Sequence, residues 1–104
     1  MSSSPLRFLT LDLTDSSDDV LTVEAMASTR EAQHAEVMEE VDALLAWARR
    51  EFGGRQGPVE EGYAWDDELL VQREADGWIT VTLTFSASPE FAQAFMAAFA
   101  DPED

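Results

Sequence analysis

Two groups of carboxylates offer the clearest opportunity for chemistry in this chain. The first is the turn 15-DSSDD-19, which lacks the Gly and the terminal bidentate Glu of an EF-hand calcium loop. The second lies on a loop and the start of a predicted strand, where few apolar neighbours would shield a charge. Paired acids of this kind can bind divalent cations or hydrolyse glycosides. The second group consists of Glu60, Glu61, Asp66, Asp67 and Glu68.

Other catalytic groups are scarce. His34 is the single side chain suited to acid–base chemistry near neutral pH, but it has no HExxH partner and the chain contains no Cys. No serine is flanked by nucleophile-elbow glycines. The stretch 53-GGRQG-57 has no Walker lysine and no preceding strand. We therefore predict that both carboxylate groups are solvated surface, that the protein is not an enzyme, and that it has no catalytic, cofactor-binding or metal-binding residues.

The charge balance points to the kind of partner. Twenty-two Asp and Glu residues oppose six basic residues, all Arg, for a net charge of −16. Such a charge repels nucleic acid and anionic lipid, and it accelerates encounter with a basic protein. The chain has no signal-peptide pattern and no apolar run of membrane-spanning length. The sequence therefore predicts a cytoplasmic protein that binds neither nucleic acid nor membrane.

Alternating apolar residues predict a first hairpin, with strands over residues 6–14 and 20–27. A five-residue turn between them pairs Leu13 with Leu21 and places the apolar side chains of both strands on one face. Capping-box spacing from Ser28 to Glu31 then predicts the start of a helix.

The predicted helix carries an apolar stripe at three- and four-residue steps. Gly53-Gly54 ends it, and residues 53–62 form a linker-like loop. The stripe consists of Val37, Val41, Leu44, Leu45, Ala48 and Phe52.

A second hairpin surrounds Asp76-Gly77. A two-residue turn there would put the apolar faces of the two strands out of agreement. A three-residue loop with Gly77 in the left-handed position of a G1 bulge instead pairs Leu69 with Leu83 and Val71 with Val81. The sequence favours this second register, because it places all four apolar side chains on one face.

Ser88-Pro89-Glu90 predicts the start of a last helix, with Ser88 as its N-cap. The order ββαββα predicts an α+β fold in which two ββα units form a four-stranded antiparallel sheet with both helices packed on one face. The segments 20-VLTVEAMAS-28 and 78-WITVTLTFS-86 share a pattern that fits two such units. We expect a disordered segment over 1–5, one domain over 6–100 and an acidic tail over 101–104.

The face of the sheet away from the helices is the predicted binding surface. In the registers above, Phe8 lies beside Met26 on that face, and Leu70 and Trp78 join them. Large apolar groups on a solvated face are typical of interaction sites. Trp47 and Trp65 are expected to be partly exposed, and aromatic residues are enriched at interface centres. The predicted partner-binding residues are Phe8, Met26, Trp47, Trp65, Asp66, Asp67, Glu68, Leu70 and Trp78.

Three functions remain open from the sequence. The first is a small acidic, non-enzymatic protein-binding module, of an inhibitor, immunity-like or chaperone-like kind, that engages a basic partner. The second is a structural or regulatory homodimer that associates through the bare sheet face. The third is a domain that binds a small molecule or a divalent cation between the helices and the sheet, or at the carboxylates of residues 60–68.

Overall fold

The computed structural model of the chain describes residues 6–17 and 20–99. Its elements are β1 (Thr10–Ser17), β2 (Val20–Arg30), α1 (Glu31–Glu51), a short 3-10 helix (Val59–Glu61), β3 (Trp65–Arg73), β4 (Trp78–Ala87) and α2 (Pro89–Phe99). The strands form one antiparallel sheet with both helices on one face, which confirms the predicted α+β fold. The predicted disordered segment and acidic tail lie outside the described residues, and the single-domain assignment stays a prediction.

The strand order is β1-β2-β4-β3, so that β2 and β4 occupy the centre of the sheet. Ala25 of β2 lies opposite Leu83 of β4. These two residues also occupy equivalent positions in the two segments of similar sequence. The two hairpins are therefore arranged about an approximate two-fold axis near this pair, with β1 and β3 at the edges.

The predicted register of the first hairpin is wrong by two residues. Leu13 pairs with Val23 rather than with Leu21, because the ladder continues through a bulge after Asp15 as far as Ser17. A shift of two residues keeps every side chain on its face, so the apolar pattern could not distinguish the two registers. Thr10, instead of Phe8, consequently lies opposite Met26.

Phe8 lies before β1, in a segment that is bound to α1. The carboxylate of Glu40 accepts hydrogen bonds from three successive backbone N–H groups, at 2.7 Å from Arg7, 3.2 Å from Phe8 and 3.1 Å from Leu9. Phe8 is half-buried and packs against the core. Its predicted place on the outer face of the sheet is therefore wrong, because these bonds attach the segment to the helix layer.

The predicted N-cap of the first helix is also wrong. Ser28 stays in β2, where it pairs with Thr80 and its Oγ lies 3.1 Å from the Thr80 Oγ1. The strand continues to Arg30, and α1 begins at Glu31 without a side-chain cap. The β2–β4 ladder already satisfies the backbone over residues 28–30, so the capping-box pattern is overridden by sheet pairing.

The second hairpin and the last helix form as predicted. Leu69 pairs with Leu83 and Val71 with Val81. Gly77 has a φ of +86°, the left-handed conformation required by the bulge. The Ser88 Oγ accepts the N–H of Phe91 at 3.2 Å, which is the expected N-cap bond.

Aromatic side chains fill the space between the helices and the sheet. The Trp47 ring meets three phenylalanines of α2 edge-on, each with a centroid separation of 5.6 Å. Trp65 stacks on Phe91 at 5.5 Å, and its Nε1–H donates to the Phe52 carbonyl at 3.1 Å. The α2 residues that contact Trp47 are Phe91, Phe95 and Phe99.

The helix layer covers the sheet along one diagonal. Trp65 at the start of β3 is 1% exposed, whereas Leu69 and Val71, on the same face further along the strand, are 42% and 39% exposed. On the opposite edge, Leu9 is buried and Leu13 is 42% exposed. The right-handed twist of a sheet turns two diagonal corners away from a layer packed on its centre. The two hairpin ends therefore extend beyond the helices.

The buried indole of Trp65 provides a test of this packing. Trp65→Phe removes the hydrogen bond to the Phe52 carbonyl and leaves a small void, and we expect it to lower the free energy of unfolding by about 2–4 kcal/mol. The matched change Trp78→Phe, at a partly exposed position, should cost less than about 1 kcal/mol. Urea denaturation followed by far-UV circular dichroism measures both. Equal losses in the two variants would contradict the buried role of Trp65.

Candidate functional site

The candidate site is the outer face of the sheet, the face turned away from the helices. Two rows of paired residues cross it, each with one residue from every strand. Strands lie about 4.8 Å apart, so each row spans about 14 Å. The apolar row contains Thr10, Met26, Thr82 and Leu70, and the carboxylate row contains Asp12, Glu24, Thr84 and Glu68.

Short hydroxyl side chains occupy most other positions on this face. Thr80 is typical, because it is β-branched, lies near Ser28 and donates a hydrogen bond to the Glu74 carboxylate at 2.9 Å. These short side chains form a polar surface close to the backbone, and the longer side chains project beyond it. Met26, Leu70 and Trp78 are 43%, 50% and 38% exposed. No described residue therefore covers the apolar groups of the outer face.

Trp78 is fixed at one end of this face by a cation. The guanidinium carbon of Arg30 lies 4.4 Å from its ring centroid, and an Arg30 Nη1–H donates to the Asp76 carbonyl at 2.7 Å. The two contacts join the end of β2 to the β3–β4 turn. They favour one orientation of the indole.

The carboxylates predicted to cluster over residues 60–68 do not share one face of the sheet. The Gln56 amide donates to Asp67 at 2.7 Å and, over a longer 3.4 Å, to Asp66. Asp67 pairs with Phe85 and belongs to the helix side of the sheet, whereas Asp66 and Glu68 belong to the outer face. Within residues 6–17 and 20–99, no three His, Asp or Glu side chains are placed to hold a metal ion. Asp18 and Asp19 of the other carboxylate group lie outside the described residues.

Trp65 belongs to the core, and Trp47 is partly exposed as expected but packs against the core on the helix side of the sheet. The expected exposure of Trp65 is wrong, because Phe91 of α2 covers its ring and the chain near Gln56 pairs along its backbone. Trp47 is half-buried among the α2 phenylalanines. The i, i+4 spacing of Phe91 and Phe95 predicts a shared apolar face of α2, but not that Trp47 packs against it. Of the predicted partner-binding residues, the outer face brings together Met26, Asp66, Glu68, Leu70 and Trp78.

Asp12 and Glu24 lie on the outer face but are not among the residues predicted from the sequence to bind a partner. Their alternation with Leu11, Leu13, and Val23 placed both acids away from the core. Their proximity to Glu68 depends on the β2–β4 pairing, which no local pattern specifies.

His34 shows no arrangement for catalysis. It is half-buried in the second turn of α1, and its Nδ1 has no hydrogen-bond partner within the described part of the chain. No described side chain therefore orients the imidazole as a general base.

Comparisons with protein-family models, with curated proteins and with solved structures find no significant match to this chain. Among the described residues, no helix combines the length and the apolar character needed to cross a bilayer.

The exposure of Trp78 can be measured directly. We expect the wild-type emission to contain a red-shifted component that acrylamide quenches and that Trp78→Phe removes, because Trp65 is buried and Trp47 is half-buried. Trp47→Phe serves as the control and should leave this component in place. If the quenchable emission of Trp78→Phe equals that of wild type, another part of the chain shields the outer face.

Proposed function

We propose that this protein is a small, non-enzymatic binding protein whose outer sheet face engages a basic surface of another protein. The observation that carries the proposal is the carboxylate row of Asp12, Glu24 and Glu68, which crosses the uncovered face directly beside exposed Met26 and Leu70. Inhibitors, immunity-like proteins and chaperone-like proteins are the classes with this physical profile.

The two rows have complementary roles in such a contact. Apolar side chains at the centre of an interface supply most of the affinity, whereas charges around them direct encounter and orientation. Asp66 and Glu74 extend the negative charge to either end of β3 on the same face. With a net charge of −16 over the chain, association with a basic protein should be fast and sensitive to salt.

A homodimer through the outer face is the second candidate, and the exposure of Met26, Leu70 and Trp78 favours it. Face-to-face packing of two copies would, however, bring two carboxylate rows together. Like charges at close range cost several kcal/mol in specificity-determining contacts. A basic partner therefore fits this face better than a second copy does.

Neutralising the carboxylate row tests the proposal. The variant Asp12→Asn, Glu24→Gln, Glu68→Gln should lose partners that wild-type protein retains from native lysate at low salt, because it removes the charges that face the partner. Rising ionic strength should release the same partners from wild type, since the Debye length falls from about 10 Å at 0.1 M to about 3 Å at 1 M. Quantitative mass spectrometry of the retained proteins measures both effects.

A matched variant controls for overall charge. Glu39→Gln, Asp42→Asn, Glu60→Gln also removes three negative charges, but from exposed positions on α1 and the 3-10 helix. It should retain the partners. If both variants lose the partners equally, net charge alone explains the binding. If both variants retain the partners, the carboxylate row of the outer face is not the binding surface.

A further inference from the structure

The free edge of β3 is the second unusual surface of this molecule. β3 lies at the end of the strand order, and its exposed apolar residues point to both sides of the sheet. Leu69 and Val71 lie on the helix side beyond the helix layer, and Leu70 lies on the outer face. An edge strand with exposed apolar residues and no proline is a template for pairing with another strand. The other edge, β1, is interrupted by a bulge after Asp15.

The backbone groups available on this edge can be identified. Glu74 donates its N–H to the Trp78 carbonyl across the hairpin, and the Trp65 carbonyl accepts the Gly57 N–H on the opposite side of the strand. Hydrogen-bonding direction alternates along an antiparallel strand. The odd-numbered residues of β3 therefore direct their N–H and C=O groups outward. Beyond the contact between Gln56 and Trp65, these residues are Asp67, Leu69, Val71 and Arg73. The Asp67 N–H already donates to the Asp66 carboxylate at 3.0 Å, whereas its carbonyl points outward.

We propose that this edge binds the same edge of a second copy, with the two β3 strands antiparallel and Leu70 opposite Leu70. In this register Leu69 of each copy faces Val71 of the other, and Asp67 faces Arg73. All four facing pairs join outward-directed residues. With the Asp67 N–H of each copy retained on the Asp66 carboxylate, they would form about six backbone hydrogen bonds. The product is an eight-stranded sheet with the four helices on one side.

Other registers fit less well. Pairing an odd-numbered with an even-numbered residue would direct the backbone groups of one copy away from the other. Centring the pair on Leu69 places Val71 against Asp67, and centring it on Val71 places Leu69 against Arg73. Both alternatives place a charged side chain against an apolar one. The Leu70 register instead pairs apolar side chains with each other and opposite charges with each other.

The charged residues on the edge can accommodate this pairing. Arg73 already donates to Glu31 at 2.9 Å, with both side chains mostly exposed. Its guanidinium has five N–H donors, so donors remain for Asp67 of the second copy. That carboxylate accepts the Gln56 amide at 2.7 Å, and the arginine would join the amide there.

The net charge of −16 on each copy opposes association at long range. Salt screens this repulsion, and it weakens backbone and apolar contacts at short range far less. Dimerisation should therefore strengthen as ionic strength rises, whereas binding of a basic protein to the outer face should weaken. The two proposals share Glu68 and Leu70, which lie on β3, but their opposite dependence on salt separates their outcomes.

A charge exchange tests both the dimer and its register. Within one copy, Asp67 and Arg73 lie six residues apart on one strand, about 20 Å, and cannot contact each other. Asp67→Arg and Arg73→Asp should each weaken dimerisation at least about tenfold, since each turns two symmetric attractive pairs into repulsive ones. The double variant Asp67→Arg, Arg73→Asp should restore it. Sedimentation equilibrium of the full chain, at low and high salt, measures the dissociation constants.

Asp42→Arg and Arg49→Asp are the matched controls, because they make the same charge changes at exposed positions of α1. Each should leave the salt-screened dimer intact. A wild-type protein that stays monomeric at millimolar concentration and high salt would overturn the proposal. So would a dimer that persists in both single variants, or a double variant that stays monomeric while its circular dichroism matches wild type. A strand from a different protein bound at this edge in place of a second copy would also contradict it.

Discussion

The packing of two helices on the centre of a four-stranded sheet is the constraint on which the rest of this molecule depends. Val23 of β2 and Leu83 of β4 are fully buried beneath the helices, together with the aromatic side chains of α2. The hydrophobic effect selects this arrangement, because it buries the apolar stripes of both helices and both central strands in one layer. Twist then leaves two diagonal corners beyond the helices, and the placement of both helices on one side leaves the outer face without cover from any residue in 6–17 and 20–99. Both proposed binding surfaces lie in these uncovered regions.

The same constraint determines where the negative charge is placed. No polar or charged residue among those described is buried, so the many carboxylates are distributed over loops, the exposed side of α1 and the outer face. A charge in the core would cost several kcal/mol without a partner, and six arginines cannot pair with twenty-two acids. Carboxylates on the outer face therefore remain hydrated, and the register of the strands aligns them in a row. The negative charge of the outer face is therefore explained by the need to keep carboxylates out of the core, in addition to any role in binding.

In each element that differs from its prediction, contacts between residues distant in the chain override a local sequence pattern. Ser28 and Glu31 have the spacing of a capping box, yet Ser28 pairs with Thr80, a residue far along the chain. Leu13 pairs with Val23, two residues from the predicted partner Leu21. The alternation of apolar and polar residues cannot distinguish these registers, because both keep every side chain on the same face. Trp65 was expected near the surface, and its burial depends on α2 and on the loop near Gln56, which come together only in the folded chain.

The sequence by itself determined the fold class, the second hairpin with its Gly77 bulge, the Ser88 cap and the buried stripe of α1, because each follows from periodicity or turn chemistry within a few residues. Tertiary structure alone decided the order of the strands. That order brought Asp12, Glu24 and Glu68 into one row and left β3 at an edge, since strand neighbours are selected by the packing of the whole sheet against the helices.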